Sequence, residues 1–144
     1  MRTFIDTNVL IYWVDDSQRA DRVEQLLAGD SVISVQVLNE FANVLRRKRG
    51  MPLADVKALC DTLIDTCEVH DLSVRTHQMA LALMAKYSLS LFDASIVAAA
   101  GLSGCAVLCS EDMQDGLNIR FPDPAQAHAL SIRNPFRPSA PLVG

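Results

Sequence analysis

Apolar and polar positions recur along the chain in two periods, and the alternation between the periods predicts the elements. Arg2 to Ile5 is a short β-like run that stops at Asp6. Ser17 to Ala28 sets Ala20, Val23, Leu26 and Leu27 at the spacing of one helix face, with Gly29 as its stop. Ser31 to Ser34 is a second strand. Val35 to Arg49 is a helix with Val37, Leu38, Phe41, Val44 and Leu45 on one stripe, closed by Gly50. Pro52 opens another, with Val56, Leu59, Cys60, Leu63 and Ile64 facing in. Glu68 to Leu72 reads as a strand. Ser73 caps a helix that runs through Met79, Leu83, Met84 and Tyr87. Ser90 opens a helix to about Leu102 that is apolar nearly all round, and therefore central. Cys105 to Cys109 is a continuous apolar run, as in a buried parallel strand. Gly116 breaks the chain, and Leu117 to Phe121 supplies a last strand. Strands alternating with helices predict an α/β fold with a mainly parallel sheet covered on both faces.

One domain accounts for most of the chain. Its 144 residues fall within the roughly 100–200 of a single domain and suffice to bury a core. The character changes at Arg133-Asn134-Pro135-Phe136-Arg137-Pro138-Ser139-Ala140-Pro141, where three prolines interrupt any period. The expected organisation is a domain over residues 1–132 and a Pro-rich tail over 133–144. Half the residues are apolar and the formal charge is −4, which excludes a disordered chain and a broadly basic wrapper of nucleic acid. The start of the chain carries Asp6 and no apolar signal core, and the longest uncharged stretch, Ala94 to Ser110, is broken by Gly101, Ser103 and Gly104. No membrane association is expected, and the expected location is the cytoplasm. Cys60, Cys67, Cys105 and Cys109 form no C-x-x-C pair, and His70, His77 and His128 are scattered, so the cysteines read as core thiols rather than zinc ligands.

Acids then draw attention by position. Asp6 follows the first strand directly and Asp112 follows the Cys105–Cys109 strand. Glu40 lies in the second turn of the helix after Ser31–Ser34, and Asp93 in the first turn of the Ser90 helix. Open parallel sheets bind ligands beyond the carboxyl ends of their strands. Three of the four acids are placed there by the strand before them, and Asp93 joins if its helix starts at that edge. Each also has a plain structural reading. Asp6 suits an Asx turn, Glu40 a solvated helix position, Asp93 a capping box with Ser90, and Asp112 ordinary loop polarity. Taken together they predict a hard-cation site: clustered carboxylates repel unless something positive intervenes, and oxygen-only ligands favour Mg²⁺ or Mn²⁺. Arg46-Arg47-Lys48-Arg49 is the one basic cluster. It reads either as compensation of the helix dipole or as a contact to a phosphate backbone.

These residues carry a resemblance. Phe4-Ile5-Asp6-Thr7-Asn8-Val9-Leu10, Asn39-Glu40-Phe41, Phe92-Asp93-Ala94-Ser95-Ile96-Val97 and Leu108-Cys109-Ser110-Glu111-Asp112-Met113 resemble, in order and spacing, the four motifs of the PIN-domain family. Within the family they look like the VapC-type ribonuclease toxins of toxin–antitoxin pairs, over residues 1 to about 121. The resemblance implies a three-layer α/β/α fold with Asp6, Glu40, Asp93 and Asp112 gathered around Mg²⁺ or Mn²⁺. It implies metal-dependent endonucleolytic cleavage of RNA, a homodimer, and a small antitoxin partner. Asp6 and Asp93 are expected as the main ligands, with Glu40 and Asp112 completing the site and Thr7, Asn8 and Ser110 supporting them. Ser110 stands where the family more often has Thr, and Asp115 is an extra acid able to replace or assist Asp112.

Two other classes compete. A phospho-aspartate enzyme also begins with a strand ending in Asp, but wants a second Asp where this chain has Asn8. A non-catalytic PIN-like module would bind RNA or protein without cutting, though the presence of all four acids argues against it.

Overall fold

Short strands and capped helices share the chain, and half of the helices among the described residues follow directly after a strand. The computed structural model describes residues 1–15, 17–122 and 129–137. Strand β1 (Thr3–Ile5) leads through Asp6 into α1 (Thr7–Leu10) and a 3₁₀ turn (Ile11–Val14), and α2 (Gln18–Ala28) follows. Strand β2 (Ser31–Ser34) leads straight into α3 (Val35–Arg47), and α4 (Leu53–Thr66) precedes β3 (Glu68–His70). Helices α5 (Val74–Lys86) and α6 (Leu91–Leu102) come before β4 (Val107–Cys109), β5 (Asn118–Arg120) and β6 (Ala129–Arg133). Ser34, Ser73 and Ser90 each accept a backbone N–H three residues on, from Val37, Thr76 and Asp93 respectively. Each such cap stabilises its helix by about 1 kcal/mol. Gly50 ends the α3 segment at φ +60°, a left-handed conformation that glycine adopts without a Cβ penalty.

The six strands form one sheet in the order β3-β2-β1-β4-β6-β5. All neighbours are parallel except β5 and β6. β1 is central, with Thr3 in register with Ser31 on one side and Val107 on the other. The chain therefore builds outward from β1 through β2 and β3, then returns through α5 and α6 to lay β4 on the opposite side of β1. That reversal opens a crevice beyond the ends of β1 and β4, where open α/β sheets bind ligands. Helices cover the sheet in a three-layer α/β/α arrangement, as expected. Phe4, Ile33, Leu108, Phe41 and Leu45 are fully buried, each stabilising the fold by roughly 1.5–3 kcal/mol. Helix α6 is central: Ala94 and the run Ile96 to Gly101 are buried.

Gly101 lies within that run where the far end of the Phe121 ring closes over the helix. A Cβ there would overlap the Phe121 ring unless the ring shifted. Gly101→Ala is expected to destabilise the protein by roughly 1–3 kcal/mol through overpacking, lowering the thermal midpoint by several degrees. Thermal unfolding of the variant checks it; an unchanged midpoint would show that the ring yields freely.

The structure departs from the sequence expectations in particular places. Residues 7–14 are helical turns, which a four-residue helix and a 3₁₀ turn are too short to announce by periodicity. The Leu117–Phe121 segment holds β5, at Asn118–Arg120, but this is not the last strand: β6 follows and inserts between β4 and β5. Leu130 and Ile132 are its two buried apolar residues, too few to establish a period. Ile64, expected to face in, is 50% exposed because it lies at the margin of its stripe. The predicted tail begins inside the fold: Arg133 closes β6 opposite Cys109, Asn134 is buried, and the Phe136 ring meets Tyr12 edge-on at 5.0 Å. His128 and residues 138–144 lie outside the described residues. The four cysteines are free thiols, three of them buried. Among the described residues no single helix is long and apolar enough to cross a membrane.

Candidate metal and active site

The switch point fixes the first acid. Asp6 stands at the end of the central strand, 6% exposed, and its backbone N–H donates to the Cys109 carbonyl at 3.0 Å. Its Oδ1 accepts the Thr7 N–H at 2.7 Å, so it caps α1. Its Oδ2 accepts the Ser110 hydroxyl at 2.9 Å and the Asn8 amide at 3.2 Å. Burial nevertheless dominates and pushes the Asp6 carboxyl up to about 6, with Asp93 and Glu40 adding repulsion against those hydrogen bonds. A buried carboxylate left at such a value is a recurrent mark of a functional site.

The other acids converge on the same place. A cleft of about 580 Å³ is lined by Asp6, Glu40, Asp93 and Asp112 together with Thr7 and Asn8. Glu40 is held by two donors: the Thr7 hydroxyl to Oε2 and the Gln36 amide to Oε1, each at 2.9 Å. The same Gln36 amide also reaches the Phe92 carbonyl at 3.2 Å, tying α3 to the start of α6. Asp93 keeps its capping role, its N–H donating to Ser90 Oγ at 3.1 Å, while its carboxyl faces the cleft. The cap and the cleft position are thus one geometry. Its carboxyl is raised, chiefly by burial and then by Asp112 and Glu40. Asp112 is exposed on the cleft wall.

The supporting residues are as placed as the acids. Ser110 is fully buried behind Asp6 and also accepts the Met113 N–H at 3.3 Å. Asn8 bridges the two motifs, its amide reaching Asp6 and Ser110 while its Oδ1 accepts the Glu111 N–H at 3.0 Å. Asp115 is not among the cleft residues. Its Oδ1 accepts the Asn134 N–H at 2.9 Å, which ties the loop after β4 to the end of β6. The basic run divides. Lys48 and Arg49 line the cleft, Arg49 paired with Asp15; Arg46 donates to the Met51 carbonyl at 3.0 Å, and Arg47 is exposed outside the lining.

Sequence reasoning missed Gln36, Tyr12 and Asn43. Gln36 was legible in principle, since it precedes Glu40 by four residues on one helix. Tyr12 and Asn43 line the cleft without any local signal. Glu111 is engaged as well: the Tyr12 hydroxyl donates to it at 2.8 Å and Arg19 at 2.9 Å.

The donor set suits a hard divalent cation. Every cleft acid offers oxygen, with no thiol or imidazole among the lining residues. The acids repel one another and raise each other's affinity for protons, a condition that a cation relieves. Among the described residues no three such side chains are already drawn to one ligation point. Glu40 rests instead on the Thr7 hydroxyl and the Gln36 amide.

The PIN domain model matches residues 3–114. With the fold and the cleft described above, this chain belongs to the PIN-domain family. No curated protein matches it. Solved structures share the fold at low identity. A toxin–antitoxin complex from Klebsiella pneumoniae aligns with a TM-score of 0.67 at 19% identity, covering 93% of this chain and 98% of that one. VapC20 of Mycobacterium tuberculosis, a Sarcin-Ricin loop cleaving toxin, aligns at 0.61 and 21%, covering 76% and 89%. DNA-bound VapBC from Salmonella typhimurium aligns at 0.65 and 17%, covering 92% and 98%. PIN domains are generally metal-dependent and typically nucleases.

Proposed function

We propose that this protein is a Mg²⁺- or Mn²⁺-dependent endoribonuclease, the toxin of a toxin–antitoxin pair. The convergence of Asp6, Glu40, Asp93 and Asp112 on one cleft at the switch point carries the reading. Asp6 and Asp93 would hold the cation, with Glu40 and Asp112 completing its surroundings directly or through water. The bound cation would supply a water activated for attack and charge to offset the phosphate. Thr7, Asn8 and Ser110 keep the carboxylates turned toward the cleft through the hydrogen bonds they already make. Glu40 or Asp112 orients the attacking water or accepts its proton. Lys48 and Arg49, on the same cleft wall, meet the phosphates on either side of the scissile one.

An antitoxin and a second copy of the chain are the proposed protein partners. Support for the antitoxin comes from the fold neighbours, since the Klebsiella structure is a toxin–antitoxin complex and the Salmonella structure is a VapBC complex.

The test is digestion of total cellular RNA by the purified chain, freed of any partner. With Mg²⁺ or Mn²⁺ we expect discrete fragments, and with chelator none. A folded, metal-loaded protein that leaves RNA intact would favour a module that binds without cutting.

A further inference from the structure

On the α2 side of the sheet a second cavity, of about 150 Å³, is basic where the first is acidic. Arg22 of α2, Arg133 at the end of β6 and Arg137 beyond it line it, with Val107 and Cys109 of β4 as its floor. No Asp or Glu is among its lining residues. Arg22 Nε donates to the Pro135 carbonyl at 3.1 Å and its Nη1 to Gln25 at 3.3 Å, so it is held by neutral acceptors. Neither Arg133 nor Arg137 forms an ion pair among the described residues.

A second observation points to the same place. Among the described residues, two buried side-chain polar atoms lack any hydrogen-bond partner: Arg133 Nε and Ser131 Oγ. Both belong to β6 and are two residues apart, so they share one face of the sheet. Their register partners are Cys109 and Val107, the floor of this cavity. Buried donors are almost always satisfied, and guanidinium groups stay charged at any ordinary pH. Three of them around one small cavity repel unless an anion joins them.

We propose that this cavity binds a phosphate group. A tetrahedral oxyanion accepts paired N–H bonds from planar guanidinium forks, which a halide cannot do. The volume admits one such group but not a nucleotide. An anion there ties α2 to the ends of β4 and β6. Those ends also hold the cleft, since the Ser110 N–H donates to the Arg133 carbonyl and the Asp6 N–H to the Cys109 carbonyl, both at 3.0 Å. The proposal does not depend on ribonuclease activity.

Thermal unfolding of the full chain tests it, in chelator so that the uncompensated acids of the cleft repel anions. Inorganic phosphate at about ten times its dissociation constant is expected to raise the midpoint by roughly 3–6 °C over chloride at equal ionic strength. Arg137→Gln, an exposed position that leaves the core intact, is expected to weaken the phosphate effect about tenfold in concentration; Arg133→Gln should abolish it. If Arg133→Gln does not fold, Arg137→Gln decides. A short oligonucleotide with a 5′-phosphate, against the same oligonucleotide without it, separates a nucleic-acid end from the free ion as the source; a shift specific to either supports the site. Equal shifts in phosphate and chloride, or a full phosphate shift in Arg137→Gln, overturn it.

Discussion

Replacing Asp93 by Asn is expected to lower metal-dependent RNA cleavage on the order of 10³-fold or more, about 4 kcal/mol of barrier, with the fold intact. Under the proposed function the chemistry would lose a charge the cation needs, whereas the structure loses little. Asp93 is half-buried, its cap runs through its backbone N–H to Ser90, and Asn fills the same volume. Removing the charge also relieves the cost of its burial and its repulsion with Asp112 and Glu40, which together raise the Asp93 carboxyl in the wild type. Far-UV circular dichroism and the thermal midpoint in chelator should match or exceed wild type while activity disappears. A folded variant that cuts RNA at the wild-type rate would remove Asp93 from the site and overturn the assignment of this cleft as the cutting centre.

Asp6 gives the second large effect, this one without substrate. Its carboxyl rises from an ordinary 3.8 to about 6, so the folded metal-free protein binds this proton more tightly than the unfolded chain does. The penalty is absent below about pH 4, grows as pH rises through the interval, and is complete above about pH 6. Its size is on the order of 3 kcal/mol. His70, whose imidazole is lowered by burial, titrates nearby with the opposite slope. The informative quantity is therefore the difference between wild type and Asp6→Asn. In chelator the two should match near pH 4 and diverge by pH 7.5, the variant melting about 5–10 °C higher. The lower end allows for the acceptor lost opposite the Asn8 amide. Mg²⁺ should narrow the gap by stabilising only the wild type. A difference that stays flat from pH 4 to 7.5 would show that Asp6 titrates normally.

Much of this was legible in the sequence because the relevant signals are local. The apolar stripe of Val37, Phe41 and Leu45 required a helix with one buried face. The all-round apolar run after Ser90 required a central helix, and α6 is one. The short strands before Asp6 and Ser110 directed those residues to the carboxyl edge of a parallel sheet. Caps at Ser34, Ser73 and Ser90 needed only the residue and the position to be seen.

What the sequence left open depended on partners distant along the chain. Glu40 and Asp93 each had a satisfactory bland reading, and neither sequence position said which way a carboxyl would face. That was decided when the crossover through α5 and α6 brought the start of α6 back beside Asp6. Asp115 looked equivalent to Asp112 in sequence, yet it is committed to the Asn134 N–H, a bond that exists only because β6 returns beside β4. The basic run was uniform in sequence and divided in space, with Lys48 and Arg49 turned to the cleft and Arg46 closing a loop. Strand β6 was invisible for the same reason, since two buried apolar residues make no period and its stability comes from pairing with β4 and β5. Local periodicity and capping thus determined which elements form and which edge of the sheet carries the acids. Only the packing of residues tens to a hundred positions apart decided which polar groups meet, because hydrogen bonds and charge repulsion act over a few ångströms of space rather than along the chain.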